Sequence, residues 1–328
     1  MIVTVTPNPS IDRTVALGGP LARGGVQRVA DAVDQPGGKG INISRACVAA
    51  GLTTRAVLLA DDGPFVRELE ALGIACAAVP SPGPMRVNLT LTEPDGTTTK
   101  LNAAGATLSA DVLSALTERV LEQAGDWFVL AGSLPPGAPD DWYAVLAARL
   151  RERGRRVAVD TSDAALSAVV AGLAPATAPS LLKPNSDELA ALVGASPASL
   201  ERDPGLVAAA ARSLVERGAG AVLATLGAAG AVLVDGEGAW HAAPPPVQVV
   251  STVGAGDSSL FGYLAADLRG ATAPERLASA VAYGTAAAAL PGTTVPSPSD
   301  VRVNEIRVLP LDLSSSTTAS EGEPSWQN

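Results

Sequence analysis

Seven consecutive residues, Ser251-Thr252-Val253-Gly254-Ala255-Gly256-Asp257, stand just before an apolar stretch from Leu260 to Leu264. The apolar stretch reads as a helix. It puts the Asp257 carboxylate in the first turn, behind two glycines whose amides can approach an anion closely. Unpaired amides and the helix dipole make such an N-terminus an anion site. If the anion is the group being transferred, the amides of Ala255, Gly256 and Asp257 stabilise its charge while Asp257 takes the proton of an attacking hydroxyl. That is the chemistry of phosphoryl transfer. Aspartate in a first turn also serves as a plain cap, and the heptapeptide alone leaves that reading open. Two other phosphate loops are excluded: Gly-x-Gly-x-x-Gly would need glycine where Ser259 stands, and no G-x-x-x-x-G-K-[ST] run occurs.

Of 23 basic residues, 20 are arginine and three are lysine: Lys39, Lys100 and Lys183. A chain that uses arginine for solvated charge keeps lysine where a compact, flexible ammonium is needed. Lys39 sits in Pro36-Gly37-Gly38-Lys39-Gly40-Ile41-Asn42, and Lys183 in Leu181-Leu182-Lys183-Pro184-Asn185-Ser186-Asp187-Glu188. Lys183 belongs on the nucleotide side with Asn185 and Glu188, which meet Mg²⁺ through water, since magnesium keeps several waters and takes few protein carboxylates. The same N-x-x-E spacing is also that of a capping box. Thr225-Leu226-Gly227-Ala228-Ala229-Gly230 forms a tight turn. Thr225, Gly227 and Gly230 there suit a nucleotide phosphate or ribose, or serve only the turn. On the acceptor side, Gly37 and Gly38 let a polyol approach the backbone, and Asp12 and Asn42 hydrogen-bond its hydroxyls. Arg28 and Arg86 suit a fixed phosphate, which guanidinium binds bidentately, or are ordinary exposed charges.

The elements that must position these residues follow from the pattern. Strand-like runs at 2–6, 54–60, 74–79, 127–131, 156–160, 180–182 and 220–225 alternate with helical patterns near 41–50, 64–72, 109–123, 140–152, 164–171, 186–193 and 206–217. Such alternation predicts an α/β body, a parallel sheet covered on both faces, with ligands beyond the carboxyl ends of its strands. Thr6 to Asp12, Gly132-Ser133, Lys183 to Glu188 and Thr225 to Gly227 all fall there. Two segments, about 11–35 and 84–103, read instead as β ribbons, with Asp95-Gly96 as a hairpin turn. They predict a small inserted sheet that closes over the site as a lid. The body then runs over 1–310, and 311–328, rich in Ser, Thr, Glu and Gly, reads as a disordered tail.

Composition excludes other classes. With a net charge of −10 and no basic run among aromatics, the chain carries no nucleic-acid surface. No stretch of about 18 apolar residues is free of charge or Gly/Pro interruption, so no membrane span is expected. Ile2 to Thr6 follows Met1 without a charged leader, which predicts a cytoplasmic protein. Cys47 and Cys76 are expected as small buried residues, and His241, the one histidine, has no second histidine with which to hold a metal.

Gly37-Gly38-Lys39-Gly40-Ile41-Asn42-Ile43-Ser44-Arg45-Ala46 and the Ser251 to Leu264 segment resemble the two signature regions of the ribokinase-like carbohydrate kinases, in their phosphofructokinase B branch. The resemblance covers about residues 1–300 and takes in Thr6-Pro7-Asn8-Pro9-Ser10-Ile11-Asp12, Gly132-Ser133-Leu134-Pro135-Pro136-Gly137 and Lys183-Pro184-Asn185 in order. It implies a ribokinase-like three-layer sandwich with a mostly parallel sheet and a β lid that forms a homodimer interface. It implies a kinase using ATP with Mg²⁺, and admits a monovalent cation such as K⁺. Asp257 is then the base and Gly254 to Gly256 the anion hole. Lys39, Ser133, Arg86 and, on the lid, Lys100 are carried over to the sugar phosphate. Gly-Gly-Lys-Gly is the form that goes with fructose 1-phosphate or tagatose 6-phosphate as acceptor, which implies fructose 1-phosphate phosphorylated at its C6 hydroxyl to fructose 1,6-bisphosphate. Tagatose 6-phosphate and fructose 6-phosphate are the alternatives within the family. A nucleoside-type acceptor is disfavoured by the positive charge of Lys39, Arg28 and Arg86. A non-catalytic sugar-phosphate-binding regulator is disfavoured by Asp257, since a binder gains nothing from a base.

Overall fold

The computed structural model describes residues 1–312. In chain order the first elements are β1 (Ile2–Thr6), β2 (Ser10–Leu17), β3 (Val29–Gly37), α1 (Lys39–Ala49), β4 (Thr54–Leu59), α2 (Pro64–Ala71), β5 (Ala75–Val79), β6 (Arg86–Thr92) and β7 (Thr98–Asn102). There follow α3 (Ala110–Leu121), β8 (Trp127–Ala131), α4 (Trp142–Glu152), β9 (Arg156–Asp160), α5 (Asp163–Ala171), β10 (Leu181–Leu182), α6 (Ser186–Val193), α7 (Pro197–Arg202) and α8 (Pro204–Glu216). The last are β11 (Ala221–Thr225), β12 (Ala231–Asp235), β13 (Ala239–Ala243), α9 (Ala255–Asp267), α10 (Ala273–Ala288) and β14 (Arg307–Pro310).

The central strands are apolar on both sides. In β8, Phe128 and Leu130 pack into one hydrophobic cluster, while Trp127, Val129 and Ala131 pack into the other. A strand with two apolar faces must lie inside a sheet covered twice. The ten-stranded sheet runs β14-β13-β12-β11-β10-β9-β8-β1-β4-β5. It is parallel from β11 to β5 and antiparallel across β12, β13 and β14. Helices α3, α4, α5, α6 and α8 cover one face, and α1, α2, α9 and α10 the other. The alternation read from the sequence is borne out to within about two residues at most element ends, as capping ambiguity allows.

Five elements lie outside that alternation. The strands β12, β13 and β14 extend the sheet as an antiparallel edge, the short α7 follows α6, and α10, rich in alanine, is packed against α9 and those edge strands, so it lacks the polar stripe that betrays a surface helix. Cys47 is buried as expected, whereas Cys76 is only half-buried, because β5 is the edge strand of the sheet.

The two predicted ribbons form a second sheet in the order β3-β2-β6-β7. Each is an antiparallel hairpin, and a parallel pairing of β2 with β6 joins them, with Ser10 opposite Arg86 and Asp12 opposite Asn88. Gly96, at φ 89°, makes the tight turn of the second hairpin. The tail expected from 311 lies, from residue 313 on, outside the described residues. Among the described residues no helix is long and apolar enough to cross a membrane.

Candidate active site

The N-terminus of α9 is built as the heptapeptide demands. Gly254 caps it in the left-handed region, at φ 78° and ψ −4°, where a Cβ would be strained. The Ala255 amide turns back to Thr252 O at 3.4 Å. It is therefore not the free donor that the sequence suggested, and the open amides of this turn are those of Gly256 and Asp257. The Ser251 hydroxyl accepts from Val253 N at 3.2 Å and donates to Gly292 O at 3.1 Å, which fixes the loop entering the helix.

Asp257 itself is buried, and Asn42 Nδ2 donates to its Oδ2 at 2.8 Å. Burial pushes the carboxyl up to about 6, and the Asp160 carboxylate adds to the rise. A base in this range is matched to proton abstraction near neutral pH. Asn42, predicted on the acceptor side, thus holds the Asp257 carboxylate, and its own Oδ1 is buried without a partner.

The residue that organises the centre is one the motifs did not single out. Asp160, at the carboxyl end of β9, is fully buried. Its Oδ1 accepts from Lys39 Nζ at 2.6 Å, and its Oδ2 lies 3.2 Å from Lys183 Nζ. Burial opposes the charge on Asp160, but the two ammoniums outweigh it and hold the carboxyl below the usual carboxylate range. Burial likewise opposes the charge on Lys39, and the facing carboxylates of Asp160 and Asp257 outweigh it and raise its pKa. Lys183 is buried, and a Cβ placed on Gly256 would come 3.4 Å from its Nζ. Both lysines therefore converge on the N-terminus of α9. The signal that could have found Asp160 is an acid that ends an apolar, buried strand, where ligands of parallel sheets bind.

A cavity of about 1080 Å³ opens at this point and extends to both sides. On the lid side it is lined by Asp12, Arg86, Asn88 and Ser133, together with Thr6 and Asn42. Asp12 Oδ1 accepts from Ser10 Oγ at 2.7 Å and Asn88 Nδ2 at 3.0 Å. A Cβ on Gly37 would strike its carboxylate at 2.2 Å, and Gly38, at φ 126°, turns β3 into α1. Arg86 donates from Nε and Nη2 to Asn8 O at 3.1 and 2.8 Å and from Nη1 to Ala103 O at 3.0 Å. Those contacts aim the guanidinium and leave two of its five protons for a ligand. Thr6 Oγ1, Asn42 Oδ1 and Asn88 Oδ1 are buried without a protein partner, and all three residues line this end. Buried polar atoms left so are accounted for by a ligand with hydroxyl groups.

On the other side the cavity is lined by Lys183, Asn185, Thr225, Gly227, Ala228 and Gly230. Gly227 and Gly230 have φ 55° and 88°, and a Cβ on Gly230 would meet Ala242 O at 1.9 Å. Asn185 and Glu188 form a capping box: Asn185 Oδ1 accepts from Glu188 N, and Glu188 Oε2 from Asn185 N, both at 2.8 Å. Glu188 does not line the cavity, and burial raises its pKa. Among the described residues no group of three His, Cys, Asp or Glu side chains is placed to cage a metal. A magnesium ion that arrives with a nucleotide keeps most of its waters and needs no such cage.

Two predicted residues stay apart. Arg28 is exposed at the outer end of β3, about 30 Å of extended chain from Gly37. Lys100 is exposed on β7, two positions out from Asn102, which does line the cavity. His241 lies on β13 with Nε2 2.9 Å from Ala229 O, bracing the turn.

Known proteins resemble this chain over nearly its whole length. The model of the pfkB family of carbohydrate kinases matches residues 6–300. The chain is 38% identical to the 1-phosphofructokinase of Rhodobacter capsulatus, over 90% of this chain and 93% of that one. It is 37% identical to the 1-phosphofructokinase of Haloferax volcanii, over 94% and 97%. Among solved structures, phosphofructokinase-2 from Escherichia coli in complex with substrates and products superposes with a TM-score of 0.83 at 34% identity, covering 91% of this chain and 96% of that chain. A ribokinase-like sheet, a small second β-sheet and a helix N-terminus that carries a buried carboxylate thus come together with a family match across nearly the whole chain, and the chain belongs to the pfkB family of carbohydrate kinases.

Proposed function

We propose that this kinase transfers the γ-phosphoryl group of ATP to the C6 hydroxyl of fructose 1-phosphate, giving fructose 1,6-bisphosphate and ADP. The observation that carries the reaction is Asp257, buried, raised to about 6 and held by Asn42 beside the open amides of Gly256 and Asp257. Asp257 takes the C6 proton as that oxygen bonds to the γ-phosphorus, and the bond from phosphorus to the ADP oxygen breaks. The two amides, Lys183 and Lys39 balance the charge on the group in flight. Magnesium bound with the nucleotide supplies further neutralisation of the phosphates.

The acceptor is chosen on the two relatives named 1-phosphofructokinase and on Gly-Gly-Lys-Gly. Asp12, Asn88, Asn42 and Thr6 would hold the sugar hydroxyls. Because Lys39 sits at the transfer point, the distal phosphate falls to Arg86 and the lid. We take 1–310 as one kinase domain, working in the cytoplasm where such substrates occur. The lid exposes Val26, Val29, Val33 and Leu101, an apolar set that a second copy of the chain would cover.

ADP release with Mg·ATP and, in parallel, fructose 1-phosphate, fructose 6-phosphate, tagatose 6-phosphate and fructose tests the reading, with K⁺ replaced by Na⁺ in a matched series. A preference of about 100-fold or more in kcat/KM for fructose 1-phosphate is expected, about 2.7 kcal/mol of transition-state discrimination. Preference for a 6-phosphate would move the acceptor, a reading favoured by the likeness to phosphofructokinase-2. Tight binding without turnover would leave a sugar-phosphate-binding regulator.

A further inference from the structure

The loop that follows α10 is bonded to both halves of the site. Thr293 is 9% exposed, and its Oγ1 donates to Gln35 Oε1 at 2.9 Å, across 258 residues of sequence. A threonine hydroxyl on a loop ordinarily bonds to a backbone group a few residues away, and this one reaches the second sheet instead. Gln35 stands on β3 directly opposite Asp12 on β2, and Asp12 lines the lid side of the cavity. The Thr293 carbonyl accepts from Arg45 Nη1 of α1 at 3.3 Å. Burial opposes the charge on Arg45, and the Asp12 and Glu68 carboxylates favour it. Two routes therefore lead from Asp12 to Thr293. One step along the chain, Gly292, at φ 59°, gives its carbonyl to the Ser251 hydroxyl that braces the turn into α9. A Cβ placed on Gly254 would lie 4.0 Å from Thr293 Cα, so the loop also rests against the cap of that helix.

We propose that Thr293 is a positioning residue that ties the strand pair carrying the acceptor to the turn presenting the Gly256 and Asp257 amides, so that sugar phosphate and nucleotide strengthen each other's binding. The inference rests on the phosphoryl-transfer reading above and adds to it how the two substrates act on one another. A ligand that draws Asp12 and its neighbour strand into place also fixes Gln35, and with it Thr293, Gly292 and Ser251. The nucleotide then meets a turn that is already ordered, and loses less entropy in binding there. Coupling of this kind is reciprocal and amounts to roughly 5- to 150-fold in affinity.

The test is calorimetric titration with Mg·ADP, with and without saturating fructose 1-phosphate, a pair that forms a ternary complex without turnover. It is run on the parent and on Thr293→Val, Gln35→Met, their double variant and Thr293→Ser. In the parent, fructose 1-phosphate is expected to tighten ADP by about fivefold or more. Thr293→Val keeps the shape and loses the hydroxyl. It and Gln35→Met should each bring that factor to within about twofold of unity, and the double variant should lose no more than either alone. Each ligand by itself should bind these variants within about twofold of the parent, because neither side chain is placed against it. Thr293→Ser, which keeps the hydroxyl, should keep the coupling. A parent whose ligands bind independently, or a Thr293→Val that retains the coupling, overturns the inference and leaves the kinase reading intact. Loss of coupling in Thr293→Ser as well, or binary affinities weakened by more than about tenfold, makes Thr293 a packing residue and overturns it too. Binding of Mg·ADP without any binding of fructose 1-phosphate to the parent ends the acceptor reading, and the inference with it.

Discussion

Asparagine in place of Asp257 removes a carboxylate that the folded chain ionises at a cost. The group moves from an ordinary 3.8 to about 6, because it is buried and faces the Asp160 carboxylate. Roughly two units at about 1.4 kcal/mol each make that cost near 3 kcal/mol at neutral pH. The sign follows from linkage. Below about pH 4 both states hold the proton and the penalty is absent. Between about 4 and 6 the unfolded chain has lost its proton while the folded chain keeps it, so stability falls as pH rises. Above about 6 the penalty is complete. The amide oxygen introduced by Asp257→Asn can still accept the hydrogen bond from Asn42 Nδ2, so the substitution removes the charge and keeps the contact.

The ligand-free variant is therefore expected to be more stable than the parent by up to about 3 kcal/mol at pH 8, the gain falling to about half near pH 5. In melting temperature this is a rise of about 5 °C for a chain of this size. Turnover is expected to fall by roughly 10²- to 10⁴-fold. Urea denaturation at both pH values, with turnover measured alongside, reads all three quantities. A variant no more stable than the parent at pH 8, or a difference that does not change with pH, would refute the claim that this carboxylate is held against its preference. Loss of stability together with activity would make Asp257 a structural cap.

Other substitutions probe the same centre. In the parent, kcat/KM should fall tenfold per pH unit below about 6 as Asp257 takes up its proton; a profile flat to about pH 5 would place the base elsewhere. Asp160→Asn leaves Lys39 and Lys183 facing each other unpaired and should cost about 3–5 kcal/mol in urea, with part of the loss recovered by adding Lys39→Met. Lys39→Met alone should lower kcat with every acceptor while changing KM for ATP and sugar phosphate little. A rise confined to the sugar-phosphate KM would return Lys39 to the distal phosphate. Gly254→Ala, at φ 78°, should cost about 1–2 kcal/mol and reduce kcat by displacing the Gly256 and Asp257 amides.

What the sequence shows and hides at this site follows from the range of each interaction. The turn into α9 is written in neighbouring residues, so the Gly254 cap and the place of Asp257 could be read directly, though not the turning of the Ala255 amide back to Thr252 O; the glycines that fix the 227–230 turn could be read likewise. The N-x-x-E spacing carried two meanings, and the geometry supplies one of them, a cap with both bonds at 2.8 Å. Asp160 was illegible because its partners are remote: Lys39 lies 121 residues away along the chain, and nothing around Asp160 beyond an apolar strand marks it. Arg28 illustrates the reverse, a residue whose type fits a phosphate but which the hairpin carries to the far end of the lid.

Asp160 also explains why the centre has the charges it has. Two ammoniums aimed at one anion hole would repel each other, and a buried carboxylate between them removes that repulsion without entering the cavity. The same negative charge adds to the rise that burial gives Asp257, so the group that makes room for both lysines also makes the base more basic. If so, Asp160→Asn should move the acid limb of the pH profile to lower pH even where turnover survives, an effect that packing damage alone would not produce. Absence of that displacement, in a variant that folds and retains measurable activity, would reduce Asp160 to a counter-ion of the lysines.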